Sequence, residues 1–290
     1  MKREEFEALN PEIKEYIQLG HKIGFINSNN IQRIYERIKN IQIVIEENDL
    51  GSGGMTEMLD DNKTIKITIS KGCIEREAKS FDRNFKDYYD ENLFHELTHA
   101  LGITPKEFGI IFKEFIAHNN LDESLYPNYD MGYSLIDEII AQTTAQRMVT
   151  EKYNIKYPSK HSGFIFNEHN HSEESFKYEY DSDLQWYGEL QNFALDFIEK
   201  IYGKRDINLI FNDQFNGLIF KKMLETYEKE HDGAKKLYSV IGSFGNILCC
   251  DYYQQGYYDD GIYKSLSVDL FKNSINECKE LLRKEISLDD

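Results

Sequence analysis

Two isoleucine alternations constrain this chain more than any other feature. Ile41, Ile43 and Ile45 recur at every second position, as do Ile65, Ile67 and Ile69, which is the repeat of strands with one buried face. Between them lie MTEML and the turn-forming Asp60-Asp61-Asn62-Lys63, a pattern that predicts a hairpin leading into the second alternation. The period then changes. From Ser80 onward Phe81, Phe85, Tyr88, Tyr89, Leu93, Leu97 and Ala100 fall at helical spacing, predicting one continuous helix with Gly102 just past its end and Pro105 as a breaker.

Helices are predicted on both sides of this block. Asn10-Pro11 is an N-cap and first-turn pair for a helix running toward Gly20, and Ser28 to Asn30 can start another through IQRIYERIKN. Ser134-Leu-Ile-Asp137 reads as a capping box opening a helix through EIIAQTTAQRMV. Further helical stretches are expected at 182–202, 214–230, 234–247 and 267–286, with no comparably clear strand pattern beyond residue 150. The expected fold class is α+β. A small N-terminal twisted sheet and its helix lie within residues 1–150, and a mainly helical half spans 151–290.

Composition narrows the partners. The formal charge is -17, spread over both halves without an acidic tail or a basic face. A surface of that sign repels phosphate backbones and anionic lipids, so neither nucleic acid nor a membrane surface is expected as a partner. MKREEFEALNPEIKEY lacks the apolar core of a secretory signal, and no stretch is apolar enough for a span, so the expected location is cytoplasmic. The four cysteines, Cys73, Cys249, Cys250 and Cys278, are too few for a disulfide framework and show no CxxC spacing.

Chemistry concentrates in NLFHELTHALG, residues 92–102. On a helix His95 and His99 project from one face and can offer two imidazoles to a single ion. Glu96 is rotated about 100° away and is placed instead to act on a metal-activated water as general base. A catalytic zinc takes three protein ligands and keeps a position for water. The pattern HExxHxxGxxH is met as far as Gly102 but ends at Pro105, which has no donor atom. A downstream carboxylate must then complete the set. Glu138, in the predicted helix after Ser134, is the strongest choice, ahead of Glu114 in the charged KEF stretch and Glu123 in the polar HNNLDES loop. The expected cofactor is Zn2+.

His95-Glu96-Leu-Thr-His99 followed by a helix-borne Glu138 resembles the gluzincin class of zinc metallopeptidases. The separation of 39 positions between His99 and Glu138 is similar to that in the branch containing the anthrax lethal factor catalytic domain and the proline-specific secreted endopeptidases. The resemblance covers residues 40–150 and implies a zincin-like metal-binding domain, with residues 151–290 closing the cleft. It implies a peptide or protein substrate whose extended backbone pairs with a strand edge, MTEML or TIKITIS. That branch carries a tyrosine seven residues before its third ligand, where this chain has Met131 flanked by Tyr129 and Tyr133. Tyr133 is the first choice for stabilising the oxyanion, followed by Tyr129 and His231.

Two other readings stand beside peptide hydrolysis. One is a non-catalytic zinc-binding or interaction protein, with His169 and His171 of HNHS as a possible second metal patch. The other is a structural zinc with a fourth protein ligand, for which His118 is the nearest histidine.

Overall fold

A computed structural model describes residues 8–61, 63–80, 82–125, 132–154 and 218–254, together with Phe6 and isolated positions between 197 and 213. It is a mixed α/β structure with one small sheet and mainly helical content. Contacts divide the chain into two compact units interleaved in sequence. The first comprises Met1–Thr104, Glu138–Glu179 and Phe211–Gly217; the second comprises Pro105–Asp137, Tyr180–Ile210 and Leu218–Asp290.

The first unit opens with α1 (Pro11–Lys22), whose Asn10 side chain accepts a hydrogen bond from the Glu12 amide at 2.8 Å. It continues through α2 (Ile31–Ile38), β1 (Ile41–Glu46), β2 (Gly54–Met58) and β3 (Ile65–Ser70). The sheet order is β1-β3-β2, with β1 parallel and β2 antiparallel to β3. Both isoleucine alternations are strands, and the register sets Ile41, Ile43 and Ile45 beside Ile65, Ile67 and Ile69. Ile65, Ile67 and Ile69 of central β3 are buried. The predicted hairpin joins β2 to β3, and Asp61 Oδ1 accepts from the amides of Lys63 and Thr64 across its turn.

The helix expected from residue 80 begins later, at Phe85, and a separate helix that was not expected precedes it. Lys71–Ser80 forms α3, and Phe85–Leu101 forms α4 with Asn84 as its N-cap, accepting from the Lys86 amide at 2.8 Å. Phe85 and the later aromatics keep the helical phase of α4, and Asn84 marks its start. The C-terminal end also differs from expectation. Gly102 ends α4 at φ -77°, ψ -160°, which is extended backbone rather than the left-handed turn of a glycine cap. The terminal carbonyls are instead met by α2. Arg33 donates to the oxygens of Leu101 and Gly102 at 3.2 and 3.3 Å, and Arg37 donates to Ala100 at 3.0 Å. Two guanidinium groups also complement the negative end of the helix dipole.

From Asp90 to Leu101 helix α4 is buried almost all round. Leu93, Phe94, Leu97, Ala100 and Leu101 supply the apolar contact, and the Tyr16 ring meets Phe94 edge-on at 6.0 Å. Two polar side chains buried on the same helix have partners on other helices. Tyr16 Oη lies 2.8 Å from Thr98 Oγ1, and Lys152 lies 2.6 Å from Asp90.

In the second unit, Pro105 is the first residue of α5 (Pro105–His118) rather than a breaker, consistent with proline's place in a first helical turn. A 3₁₀ turn at Glu123–Leu125 follows, and α6 (Gly132–Tyr153) begins here and continues into the first unit. Ser134 therefore lies inside α6 and is not its cap. Gly132 permits a close approach: a Cβ there would lie 1.9 Å from the Ile241 carbonyl oxygen on α8 (Gly233–Gln254). Helix α7 (Ile219–Tyr227) contributes Phe220 to an aromatic core with Phe108, Phe112, Tyr133 and Tyr238. The stretch expected at 267–286 lies outside the described residues. Among the described residues, no helix is long and apolar enough to cross a membrane.

Candidate metal centre

Helix α4 presents His95 and His99 one turn apart, and α6 presents Glu138 to both. The two Nε2 atoms are 2.9 Å apart. Glu138 Oε2 lies 3.2 Å from His95 Nε2, and Glu138 Oε1 lies 3.5 Å from His99 Nε2. One ligand atom from each of these residues falls within 4.8 Å of the others. Among the described residues no fourth His, Cys, Asp or Glu joins this group.

The spacing can be tested against a shared ion. Tetrahedral zinc with nitrogen and oxygen ligands at about 2.0–2.1 Å requires neighbouring donors about 3.3 Å apart. The observed separations of 2.9, 3.2 and 3.5 Å bracket that value, and two imidazoles with a carboxylate are a donor set that zinc accepts. The residues fit the ion. Burial works to raise the Glu138 carboxyl, but the charges and hydrogen bonds of His99 and His95 outweigh it and hold the group far below the ordinary carboxylate range. Glu138 is therefore poised as the anion a metal ligand must be.

Behind His95 runs a polar chain that sequence reading did not find. Gln142 Oε1 lies 3.0 Å from His95 Nδ1, and Gln142 Nε2 donates to Glu91 Oε1 at 2.6 Å. The other Glu91 oxygen lies 2.5 Å from Arg83 Nη1, with both side chains almost wholly buried. Burial pushes the Glu91 carboxyl up from its ordinary value, while Arg83, Gln142 and His95 oppose that shift. Gln142 follows Glu138 by one helical turn, which is the only hint of its place that the sequence offers.

Glu96 points elsewhere, as its helical rotation requires. Its carboxylate lies against β2, where Thr56 Oγ1 donates to Oε2 at 2.7 Å and is 3.1 Å from the Glu96 backbone oxygen. The strand can come this near because it opens on two glycines. A Cβ on Gly53 would lie 2.1 Å from Asn92 Oδ1, and one on Gly54 would lie 2.6 Å from Glu96 Cγ and 2.7 Å from its Oε1. Asn92 and Glu96 are successive turns of one α4 face.

Other residues singled out by sequence have different surroundings. Tyr133 is wholly buried in the second unit, with its ring stacked on Phe108 at a centroid distance of 4.3 Å. His118 and Glu114 are exposed on α5, and Glu123, also exposed, lies 4.0 Å from Lys113. His231 is 91% exposed and faces Asp232 at 3.4 Å. Tyr129, His169 and His171 lie outside the described residues. Cys73 is a buried free thiol, pushed up to about 12 by burial and the neighbouring Glu77.

No protein-family model, curated protein or solved structure matches the chain.

Proposed function

We propose that this protein is a zinc-dependent metallopeptidase of zincin-like architecture, with His95, His99 and Glu138 as metal ligands and Glu96 as general base. The observation that carries the reading is the convergence of the three donor groups at separations suited to one ion. A bound zinc would acidify a water and polarise a peptide carbonyl.

The chain's own residues account for the rest of the chemistry. Glu96 accepts the proton from the attacking water and passes it to the leaving amine. Its Oε2 is engaged by the Thr56 hydroxyl, so Oε1 is the oxygen available as base. Of the two strand edges expected to bind substrate, β3 is already paired on both sides, whereas β2 is an edge of the sheet beside Glu96. Strand β2 is therefore the place for an extended peptide to add its backbone hydrogen bonds. Thr56, on that strand, would then fix the base and flank the substrate at once. Tyr133, stacked on Phe108, is supported as a packing residue, and we assign it no role in the chemistry.

The test uses purified protein and a peptide library at neutral pH. About one zinc per chain is expected, with cleavage that chelation stops and zinc restores. Glu96→Gln should retain the metal and lose cleavage. A protein that binds iron instead and cuts nothing, or a Glu96→Gln variant with unchanged turnover, would refute the proposal.

A further inference from the structure

A ligating imidazole must present a lone pair to its metal, so its proton must sit on the other ring nitrogen. For His95 the nitrogen facing His99 and Glu138 is Nε2, and the one facing away, toward Gln142, is Nδ1. Glu138 Oε2 and His99 Nε2 face Nε2, and on the opposite side the end of the Gln142 amide that faces the ring decides whether Nδ1 carries a proton. An amide oxygen requires Nδ1–H, whereas an amide nitrogen would require a lone pair there and move the proton to Nε2.

The amide cannot choose freely. Its far end meets Glu91 Oε1 at 2.6 Å, and an ionised carboxylate only accepts. The Arg83 guanidinium, 2.5 Å from the other Glu91 oxygen, opposes the burial that raises the Glu91 carboxyl. Gln142 accordingly turns its NH2 toward Glu91 and its oxygen toward His95. Removing either member of a buried ion pair leaves an uncompensated charge, so the pair is also a firm anchor.

We propose that Arg83, Glu91 and Gln142 form a positioning relay that keeps a proton on His95 Nδ1 and orients the ring so that Nε2 is the nitrogen offered to the metal. Gln142 is the positioning residue in contact with the ring; Glu91 orients Gln142, and Arg83 holds Glu91. The proposal rests on His95 being a metal ligand for its purpose, but the tautomer it predicts is a property of the metal-free chain.

One experiment reads the two separately. Long-range proton–nitrogen correlation spectra of the metal-free protein, recorded at about pH 8.5 where an ordinary imidazole is neutral, assign the protonated nitrogen of His95. Wild type should show Nδ1–H. Gln142→Met, close in volume but without the acceptor, should populate Nε2–H and weaken zinc binding by roughly 10–100-fold in competition with a chromophoric chelator. Glu91→Gln, which lets the Gln142 amide face either way, should give an intermediate mixture. A wild-type spectrum dominated by Nε2–H overturns the relay even if a variant fails to fold, and so does a folded Gln142→Met with unchanged tautomer and zinc affinity. The expected tautomers in a protein that takes up no zinc, or that cuts no peptide, would support the relay and refute the metallopeptidase reading instead.

Discussion

Gly54→Ala tests whether β2 and the general base work as one device. The added Cβ would lie 2.6 Å from Glu96 Cγ and 2.7 Å from Glu96 Oε1, whereas carbon atoms in contact prefer about 3.5–4.0 Å. Roughly 1 Å must therefore be recovered by displacing the Glu96 side chain, the strand, or both. Displacing the side chain strains the Thr56 bond to Oε2. A misplacement of about 1 Å costs on the order of 100-fold in rate, and overpacking at a buried contact costs about 1–3 kcal/mol of stability. The ligands lie on other faces of α4 and on α6, so zinc content should not change. Peptide turnover, metal analysis and urea denaturation on one preparation separate these effects. Full turnover in a stably folded, zinc-loaded Gly54→Ala protein would show that the position of Glu96 against β2 is not what catalysis depends on.

Other consequences follow from the same geometry. Glu138→Ala removes a ligand itself and should lower zinc affinity by more than the roughly 10–100-fold that loss of an outer partner costs; equilibrium dialysis with undiminished zinc retention would mean that another group completes the site. In the second unit, Glu230 contacts Lys200 and lies 3.2 Å from Lys236. Burial raises its carboxyl, but the two ammonium groups more than offset this and leave it below the ordinary 4.5. A depressed folded-state value adds stability above the unfolded value that disappears as pH falls through the folded one. Glu230→Gln should therefore lower the urea midpoint near neutral pH, with the gap to wild type closing below about pH 4.5; parallel curves down to acid pH would refute the coupling.

What the sequence disclosed depended on whether the cause was local. The strands were legible because Ile65, Ile67 and Ile69 alternate on one buried face. The hairpin turn was legible because Asp61 bonds residues two and three positions ahead. Helix α3 was not read, since among the described side chains of KGCIEREAKS only Cys73, Ile74 and Ala78 are buried, amid charged neighbours, too sparse a stripe to reveal a period. The end of α4 was misread for a different reason. Arg33 and Arg37, more than 60 residues away, supply the cap that Gly102 was expected to provide locally. The ligand set lay between these cases: helical spacing was enough to pair His95 with His99, and Glu138 emerged as an acid on a later helix, but Glu91, Arg83 and Gln142 meet only through tertiary packing.

That packing gives α6 a double role at one ring. Glu138 reaches Nε2 of His95, while Gln142, a turn further along the same helix, reaches Nδ1. Ligand and orienting group are thus carried on one rigid segment, and a shift of α6 relative to α4 would alter both contacts together. Helix α4 is in turn fixed at its C-terminal end by the two arginines of α2 and along its base-bearing face by β2. Holding an imidazole from both sides by residues on a single helix makes its orientation less dependent on loops than a ligand drawn from a separate segment would be. Four buried polar groups on α4 draw their partners from neighbouring elements, Glu91 from Arg83, Glu96 from Thr56, Thr98 from Tyr16 and His99 from Glu138, and these contacts offset part of the cost of burying them.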